Sequence, residues 1–176
     1  MKKRDLDIIE SMCILIDTRE QKNDHIKQWF MDNCIQYEKR KLDSGDYSFY
    51  IPKNEELNVE KDYDFRDKIA VERKNSVNEI VGNFAKDKDR LEREFIRHDG
   101  KMILMIEDVN FYQKLCNGNY RSSMVPASAR GIFHTLVDRY DIQTYFVRKD
   151  MAGEFIYNCF YYYLRNKIKE KEDAKR

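Results

Sequence analysis

The chain has 176 residues, of which 41% are hydrophobic and 37% are charged, and its formal net charge is +1. This length fits one buried core and is short for two. Because the summed charge is close to zero, a polyanionic partner such as DNA would have to bind a local basic patch.

Cysteine and histidine usage argues against disulfides and against a structural zinc site. The cysteines are widely spaced and lie within apolar segments: Cys13, Cys34, Cys116 and Cys159. This spacing predicts reduced residues of the core. The histidines are also isolated from one another: His25, His98 and His134. A tetrahedral set of zinc ligands is therefore not expected.

The first half of the chain predicts strands joined by one helix. The stretch CILID at 13–17 is a short apolar run that ends in an acid, which is typical of a buried strand. Apolar residues recur at helical spacing in 22–33, which predicts a helix capped by Asn23 or Asp24.

The start of the chain is too charged for a signal sequence, and no apolar run is long enough to span a membrane. We therefore expect a cytoplasmic protein with no membrane partner.

Two strands and a long loop follow this helix. The segments 35–42 and 45–51 predict a hairpin-like pair of strands around a Ser-Gly turn at 44–45. The segment 52–65 is polar and lacks periodicity, so it is interpreted as a long hairpin loop. It leads into a further strand over 68–74.

The second half of the chain predicts helices that alternate with strands. Helices are expected over 76–85 and 86–98, a strand over 101–107, a short helix and loop over 110–126, a helix over 127–140, a strand over 142–147 and a helix over 151–169. Helices alternating with strands around one core predict an α/β fold, with a central mixed sheet flanked by helices.

Three charged residues on predicted strands form the strongest candidate site. Glu72 and Lys74 lie two positions apart, so their side chains point to the same face of a strand. If the Gly-Asp strand pairs beside theirs, Asp46 reaches the same place. Such a carboxylate pair can hold Mg²⁺, and the lysine can stabilise the charge that develops when a phosphodiester is cleaved. Without further context, an ordinary ion pair on a strand explains the same pattern.

Three segments, in this order and spacing, resemble the nuclease domain of the XPF (xeroderma pigmentosum group F) family of structure-specific DNA endonucleases: ILIDTREQ at 14–21, LDSGDYSF at 42–49 and IAVERKNSV at 69–77. The hallmark of that family is Gly-Asp, a variable gap, Glu-Arg-Lys, a three-residue gap and an Asp. The segments 83–95 and 128–147 are similar to later parts of the same domain. The resemblance implies a restriction-endonuclease-like core within the PD-(D/E)xK superfamily.

The resemblance also implies a catalytic set: Asp17, Glu20, Asp46, Glu72, Arg73 and Lys74. Asp46 and Glu72 match the metal-binding acids, and Lys74 matches the catalytic lysine. Asp17 and Glu20 match the acids of an Asp-x-Arg-Glu element beside the site, and Asp17 is included as a further metal ligand. The implied cofactor is Mg²⁺ or Mn²⁺, and the implied partner is branched or duplex DNA.

Two features depart from the family. The closing Asp of the hallmark is Asn78 here, which can form a hydrogen bond but adds no charge for a metal. Eukaryotic members usually carry a tandem helix-hairpin-helix domain after the nuclease, and this chain ends before one would fit. The resemblance therefore implies a stand-alone form of the phage or bacterial kind. We expect an N-terminal extension at 1–11, the nuclease domain at 12–170 and a tail at 171–176.

Basic residues at helical spacing are candidates for contacts with DNA phosphates. The stripe that they would form along one predicted helix consists of Lys86, Arg90, Arg93 and Arg97. Arg121 and Arg130 are weaker candidates outside this helix. Because Glu92 and Glu94 interleave with the stripe, a solvated charged face is the alternative, and the more common one.

The last predicted helix carries a run of aromatic residues: Tyr157, Phe160, Tyr161, Tyr162 and Tyr163. Such rings can stack on bases, but packing against the sheet or against a second copy in a homodimer is favoured. His134 is interpreted as a histidine at the edge of the core and not as a general base.

The sequence therefore predicts a metal-dependent DNA endonuclease that cuts branched, flap or fork DNA in repair, recombination or replication. The alternative is a DNA-binding module of the same fold that has lost cleavage. Only Asn78 points to that alternative, because the Gly-Asp and Glu-Arg-Lys elements are intact. A nucleotide-binding regulator is not supported, since the six glycines form no phosphate-binding loop.

Overall fold

A mixed sheet of seven strands forms the centre of the computed structural model, which describes residues 2–174. The strands are β1 (Cys13–Ile16), β2 (Tyr37–Lys39), β3 (Tyr47–Ile51), β4 (Tyr63–Asp64), β5 (Ile69–Lys74), β6 (Lys101–Ile106) and β7 (Gln143–Phe146). The helices are α1 (Lys3–Glu10), α2 (Asp24–Asp32), α3 (Val77–Lys86), α4 (Lys88–Ile96), α5 (Phe111–Asn117), α6 (Pro126–Arg139) and α7 (Ala152–Asp173), and a 3₁₀ turn covers Lys149–Met151. From edge to edge the strand order is β2-β1-β3-β5-β6-β7, and β4 pairs with β3.

The directions of the strands confirm the predicted α/β class with a mixed sheet. β3 is antiparallel to both β1 and β5, whereas β5, β6 and β7 are parallel to one another. Helices α1, α2 and α7 cover one face of the sheet, and α3 to α6 cover the other. Because β5 and β6 are parallel, residues that follow these two strands meet at the same edge of the sheet.

The predicted hairpin of 35–42 with 45–51 is wrong. β1 lies between the two strands, parallel to β2 and antiparallel to β3. All residues of β1 are buried, so this apolar strand belongs in the interior of the sheet and needs a neighbour on each side. α2 is the crossover that joins the parallel strands β1 and β2. The actual hairpin is β3 with β5, and its long loop is held by β4 and by a bridge between Asn54 and Val59.

Two apolar cores lie on the two faces of the sheet. Phe30, Phe49 and Phe160 are fully buried in the core under α1, α2 and α7. Phe111 and Phe133 are buried in the core under α3 to α6. Burying one such side chain stabilises the fold by roughly 1.5–3 kcal/mol. Of the predicted aromatic run on α7, Phe160 therefore packs against the sheet.

The ends of the chain also contribute helices to the first of these cores. α1 lies within the predicted extension 1–11 and packs on α7, with Ile9 fully buried. α7 extends to Asp173, beyond the predicted end of this helix at 169. Within residues 2–174, no helix combines the length and the apolar character that a membrane span requires.

The structure corrects the expectations for two single residues. Cys34 is exposed just after α2, with a positive φ of 57°, and is not a core residue. His134 is exposed as well, and its Nε2 shares a hydrogen bond of 3.1 Å with the hydroxyl of Tyr112. Both residues lie in segments whose apolar pattern continues past them, so periodicity alone placed them too deep.

The predicted basic stripe along 86–97 is interrupted. Lys86 ends α3, and Asp87 leaves the helical conformation with φ −156° and ψ 47° before α4 begins. Lys86 therefore belongs to a different helix from Arg90. Leu91 and Phe95 of α4 are buried, as their spacing predicts.

Candidate active site

Successive side chains of β5 point to opposite faces of the sheet, towards the two layers of helices. Val71 belongs to the core under α2 and α7, whereas Ala70 belongs to the core under α3 to α6. Because side chains alternate along a strand, Glu72 and Lys74 point towards α3 and α4, and Arg73 points towards α2. All three charged residues are buried. The end of β5 thus contributes to two adjoining charged clusters.

The first cluster opens into a cleft of about 200 Å³. The Nζ of Lys74 donates to Oε1 of Glu72 at 2.6 Å. Asp46, Glu72 and Lys74 line the same cleft, so three side chains from two neighbouring strands and their ends meet there. Two carboxylates and one ammonium in a partly enclosed cleft are suited to binding a cation and a phosphate together.

The turn before β3 positions Asp46. Gly45 has a positive φ of 71°, and a Cβ at this position would lie 2.8 Å from the Cβ of Ala70. The N–H of Asp46 donates to the carbonyl of Val71 at 2.9 Å, and its Oδ2 accepts the backbone N–H of Arg73 at 2.8 Å. The carboxylate is therefore fixed against the backbone of β5. Only glycine permits both the turn and this close approach.

Replacing Gly45 by alanine is expected to lower the free energy of unfolding by roughly 1–3 kcal/mol, because the positive φ and the contact with Ala70 both become strained. Urea denaturation measures the change. The matched control is Gly82→Ala, since Gly82 lies inside α3 and a Cβ there meets open space. Alanine at that helical position should instead stabilise the protein by about 0.5–1 kcal/mol. Equal effects of the two substitutions would contradict the role of the turn.

The surroundings of the cleft oppose the charged forms of its acids. Burial raises the pKa of Asp46 well above its usual range, and repulsion by Glu72 and Glu20 raises it further. Burial likewise raises the pKa of Glu72, although Lys74 acts in the opposite direction. Burial lowers the pKa of Lys74, but attraction to Glu72 and Asp46 outweighs it, so this pKa lies above its ordinary value. Lys74 is therefore a cation at neutral pH.

A divalent cation would relieve this repulsion, and the donors present suit Mg²⁺ or Mn²⁺. Oδ2 of Asp46 accepts the backbone hydrogen bond from Arg73, which leaves Oδ1 for a cation. In the part of the chain from 2 to 174, no group of three or more Asp, Glu, His or Cys side chains is arranged to hold a metal. Mg²⁺ is commonly held by one or two carboxylates, keeps several waters and takes further oxygens from substrate phosphates. The cleft fits an ion held in that way.

The second cluster surrounds Arg73 on the other face of β5. Its guanidinium donates to the two carboxylate oxygens of Glu107 at 2.8 and 2.9 Å and to Oε1 of Glu20 at 2.8 Å. The hydroxyl of Tyr47 donates to the same Oε1 of Glu20 at 3.1 Å. The side chains of Arg73 and Glu107 are only 5% and 2% exposed. Arg73 therefore joins β5 to β6 and to the segment after β1, and both Arg73 and Glu20 also line the cleft.

Sequence reasoning did not identify Glu107 or its second partner, His25. Nε2 of His25 lies 2.7 Å from Oε1 of Glu107. Burial raises the pKa of Glu107, but hydrogen bonds from Arg73 and His25 lower it below its ordinary value. Glu107 directly follows β6, just as Asp17 follows β1, so an acid at the end of an apolar strand was an available signal. His25 looks isolated because its partner is distant in the sequence.

Asp17, expected as a further metal ligand, is already fully engaged by other groups. Its Oδ1 accepts the backbone N–H and the Nε of Arg19, each at 2.7 Å. Its Oδ2 accepts the N–H of Leu42 at 2.7 Å and Nη2 of Arg19 at 3.1 Å. Burial raises the pKa of Asp17, but these bonds lower it below its usual range. Because Arg19 lines the cleft, Asp17 holds a cation at the rim of the site.

The basic residues of α4 reach the cleft only in part. Arg90 and Arg97 line it together with Glu94. Nε of Arg90 lies 3.3 Å from Oε1 of Glu94, so part of its charge is already paired. Arg93 is exposed but does not belong to the cleft lining, and neither does Lys86.

The remaining candidates lie near the loop after α5. Nη1 of Arg130 donates to the carbonyl of Cys116 at 3.1 Å, close to the C-terminal end of α5, so its side chain supports the fold. Arg121 is exposed, and its backbone N–H donates to Oδ1 of Asn78 at 2.8 Å. Asn78 is therefore used to attach this loop to the start of α3.

Comparison with known protein families settles the relationship of the chain. The ERCC4 domain model matches residues 16–159, which is most of the chain. The chain belongs to the ERCC4 domain family. The matched segment of this ERCC4 domain runs from the end of β1 into α7 and includes both charged clusters. No curated protein sequence matches the chain significantly.

Two solved structures of XPF from Aeropyrum pernix resemble the ERCC4 domain. The alignment with the first structure has a TM-score of 0.61 at 17% identity, and it covers 91% of the present chain and 69% of the XPF chain. The alignment with the second structure, a complex with DNA, has a TM-score of 0.59 at 15% identity, and it covers 90% of the present chain and 66% of the XPF chain. At this identity the likeness shows a shared fold. The chain spans about two thirds of the length of these relatives.

Proposed function

We propose that this ERCC4 domain is a metal-dependent DNA endonuclease that hydrolyses phosphodiester bonds. The observation that carries the proposal is the meeting of Asp46, Glu72 and Lys74 in one cleft. Membership of the ERCC4 family supports a nuclease that acts on DNA. Because the sequence resembles structure-specific endonucleases, we propose branched, flap or fork DNA as the substrate, in repair, recombination or replication.

The residues of the cleft would divide the work as follows. Asp46 and Glu72 would hold Mg²⁺ or Mn²⁺, which lowers the pKa of a bound water and neutralises phosphate charge. Lys74 would place a fixed positive charge beside the phosphate as negative charge develops on its oxygens. Since its pKa is raised, Lys74 acts as a cation and not as a base. Arg73, bound to Glu107, would keep the end of β5 in position.

The arginines that line the cleft would bind the DNA backbone next to the scissile phosphate. Arg19, Arg90 and Arg97 share this lining, and the side chains of Arg19 and Arg90 are 61% and 66% exposed. Contacts of this kind give affinity without reading bases. They suit a substrate that is recognised by its shape.

A second candidate function is binding of DNA without cleavage. The observation that favours it is Asn78, which bonds to Arg121 and adds no charge to the site. The three residues of the cleft are all present, however, and burial without a ligand disfavours the charged forms of the two acids, Asp46 and Glu72. We therefore favour the nuclease.

The test is incubation of the protein with labelled duplex, flap, fork and single-stranded DNA in Mg²⁺, Mn²⁺ or a chelator. We expect nicks in flap or fork DNA with either metal and none with the chelator. Both binding and cleavage should weaken steeply between about 50 and 200 mM salt, because phosphate contacts release counterions. Binding without cleavage in either metal would support the second candidate, and the absence of both would overturn the two together.

A further inference from the structure

Glu79 faces the cleft from the first turn of α3. Its Oε1 lies 3.9 Å from Nζ of Lys74, and its Oε2 accepts the backbone N–H of Asn75 at 2.9 Å. The side chain is 34% exposed and lines the same cleft as Glu72. The two oxygens therefore have different neighbours, one in the backbone and one in the site.

Capping of α3 accounts for only one of these oxygens. Ser76 is the N-cap, and its Oγ accepts the N–H of Glu79 at 3.4 Å. A glutamate at this position commonly reaches back to the backbone before the helix, and glutamine does the same. The cap thus needs an acceptor oxygen but no charge. The position of Oε1 beside Lys74 plays no role in capping α3.

Lys74 has carboxylates on two sides, from two different elements. Glu72 lies on its own strand at 2.6 Å, and Glu79 lies on α3 at 3.9 Å. In the proposed function, Glu72 also binds a divalent cation, so it shares its negative charge with two positive groups. An ammonium that depended on Glu72 alone would then be held less firmly. A second carboxylate that does not bind the cation can keep it in place.

We propose that Glu79 is a positioning residue, which holds the ammonium of Lys74 in the cleft when Glu72 binds the cation; this inference rests on the proposed function. The neighbouring residue cannot supply the same charge. Asn78 is neutral, and its Oδ1 accepts the backbone N–H of Arg121 at 2.8 Å. The acid that acts on Lys74 from α3 is therefore residue 79.

The test compares Glu79→Gln with Glu56→Gln, which removes the same charge from an exposed glutamate outside the cleft lining. Glutamine keeps the cap and removes the charge, so we expect an unchanged thermal unfolding temperature, while kcat on flap DNA falls about tenfold to a hundredfold. KM should stay within about twofold, because the lost interaction belongs to the chemical step. Glu56→Gln should change neither constant, since Glu56 does not line the cleft.

Two further measurements distinguish a positioning role of Glu79 from a purely structural role. In the background of Lys74→Met, adding Glu79→Gln should have little further effect, because Glu79 acts through Lys74. In the metal-free protein, the ¹⁵N NMR signal of the Lys74 Nζ, assigned by its loss in Lys74→Met, should shift in Glu79→Gln and stay in place in Glu56→Gln.

Several outcomes would overturn the inference: equal kcat in Glu79→Gln and the wild type, additive losses in the double variant, or recovery of Glu79→Gln by Asn78→Asp. An unchanged Lys74 signal in Glu79→Gln would overturn it even if no DNA were cut. A different result would count against the proposed function alone. In that case the wild type cuts no DNA, but the Lys74 signal still shifts in Glu79→Gln, which supports the contact between Glu79 and Lys74.

Discussion

Asparagine in place of Asp46 should strongly lower the rate of cleavage and leave the fold at least as stable as the wild type. The substitution keeps an oxygen that can accept the N–H of Arg73, so the turn is retained. It removes one of the two charges that would bind the cation, and we expect the rate of cleavage to fall by about a hundredfold to a thousandfold or more. Weaker binding of Mn²⁺ to the free protein should accompany this loss.

The expected gain in stability follows from the raised pKa of Asp46. Burial and repulsion by Glu72 and Glu20 disfavour the charged form in the folded state. The wild type should therefore gain stability as the pH falls from the raised pKa towards the ordinary value of 3.8, because the folded protein binds the proton more tightly. Asp46→Asn should lack this part of the gain. Urea denaturation at pH values between the raised pKa and 3.8, in the presence of a chelator, measures this change in the free energy of unfolding.

The matched control for activity is Asp138→Asn. Asp138 is an exposed aspartate on α6, outside the cleft lining, so the variant removes the same charge at a distance from the site. We expect its cleavage rate to match the wild type. Retention of full activity by Asp46→Asn, or an equal loss in both variants, would remove Asp46 from the proposed mechanism.

Methionine in place of Arg73 should produce the largest loss of stability among the charged residues of the site. Glu107 and Glu20 would remain buried without the guanidinium that now binds them. Removing one partner of a buried ion pair typically costs about 3–5 kcal/mol, because the remaining charge is left without compensation. The midpoint of urea denaturation measures the change, and cleavage should fall with it since the end of β5 loses its anchor.

The control is Arg66→Met, which breaks a comparable pair at the surface. Arg66 binds Asp64, and the two side chains are 40% and 39% exposed. Solvent screens such a pair, so the expected cost is below about 1 kcal/mol. Adding Glu107→Gln to Arg73→Met should recover part of the loss, because it neutralises one of the two carboxylates that have lost the guanidinium. Similar costs for Arg73→Met and Arg66→Met would show that the buried network adds no stability.

Together the two substitutions separate the faces of β5. Asp46→Asn alters the cleft that faces α3 and α4, and is expected to change activity without loss of stability. Arg73→Met alters the cluster that faces α2, and is expected to change stability first. Glu72 and Lys74, which flank Arg73 in β5, face the cleft with Asp46, because alternation places successive side chains of a strand in different layers of the fold.

The sequence by itself determined the features that depend on near neighbours. The alternation along 69–74 places Glu72 and Lys74 on one face, and the apolar runs at 13–16 and 101–106 are buried strands. Glycine before Asp46 indicates a turn, and the structure shows the positive φ that requires it. Periodicity and turn chemistry act over a few residues, so they can be read without knowledge of the fold.

Only the tertiary structure decided which distant groups meet. Glu107 and Glu20 bind Arg73 across separations of 34 and 53 residues, which no local pattern records. The insertion of β1 between β2 and β3 likewise depends on burying an apolar strand on both sides, and not on the turn that follows β2. Oδ2 of Asp17 likewise accepts the backbone N–H of Leu42, 25 residues further along the chain. Pairing between elements is set by the burial of the whole chain, so the partners of a charged residue become visible only when the layers are assembled.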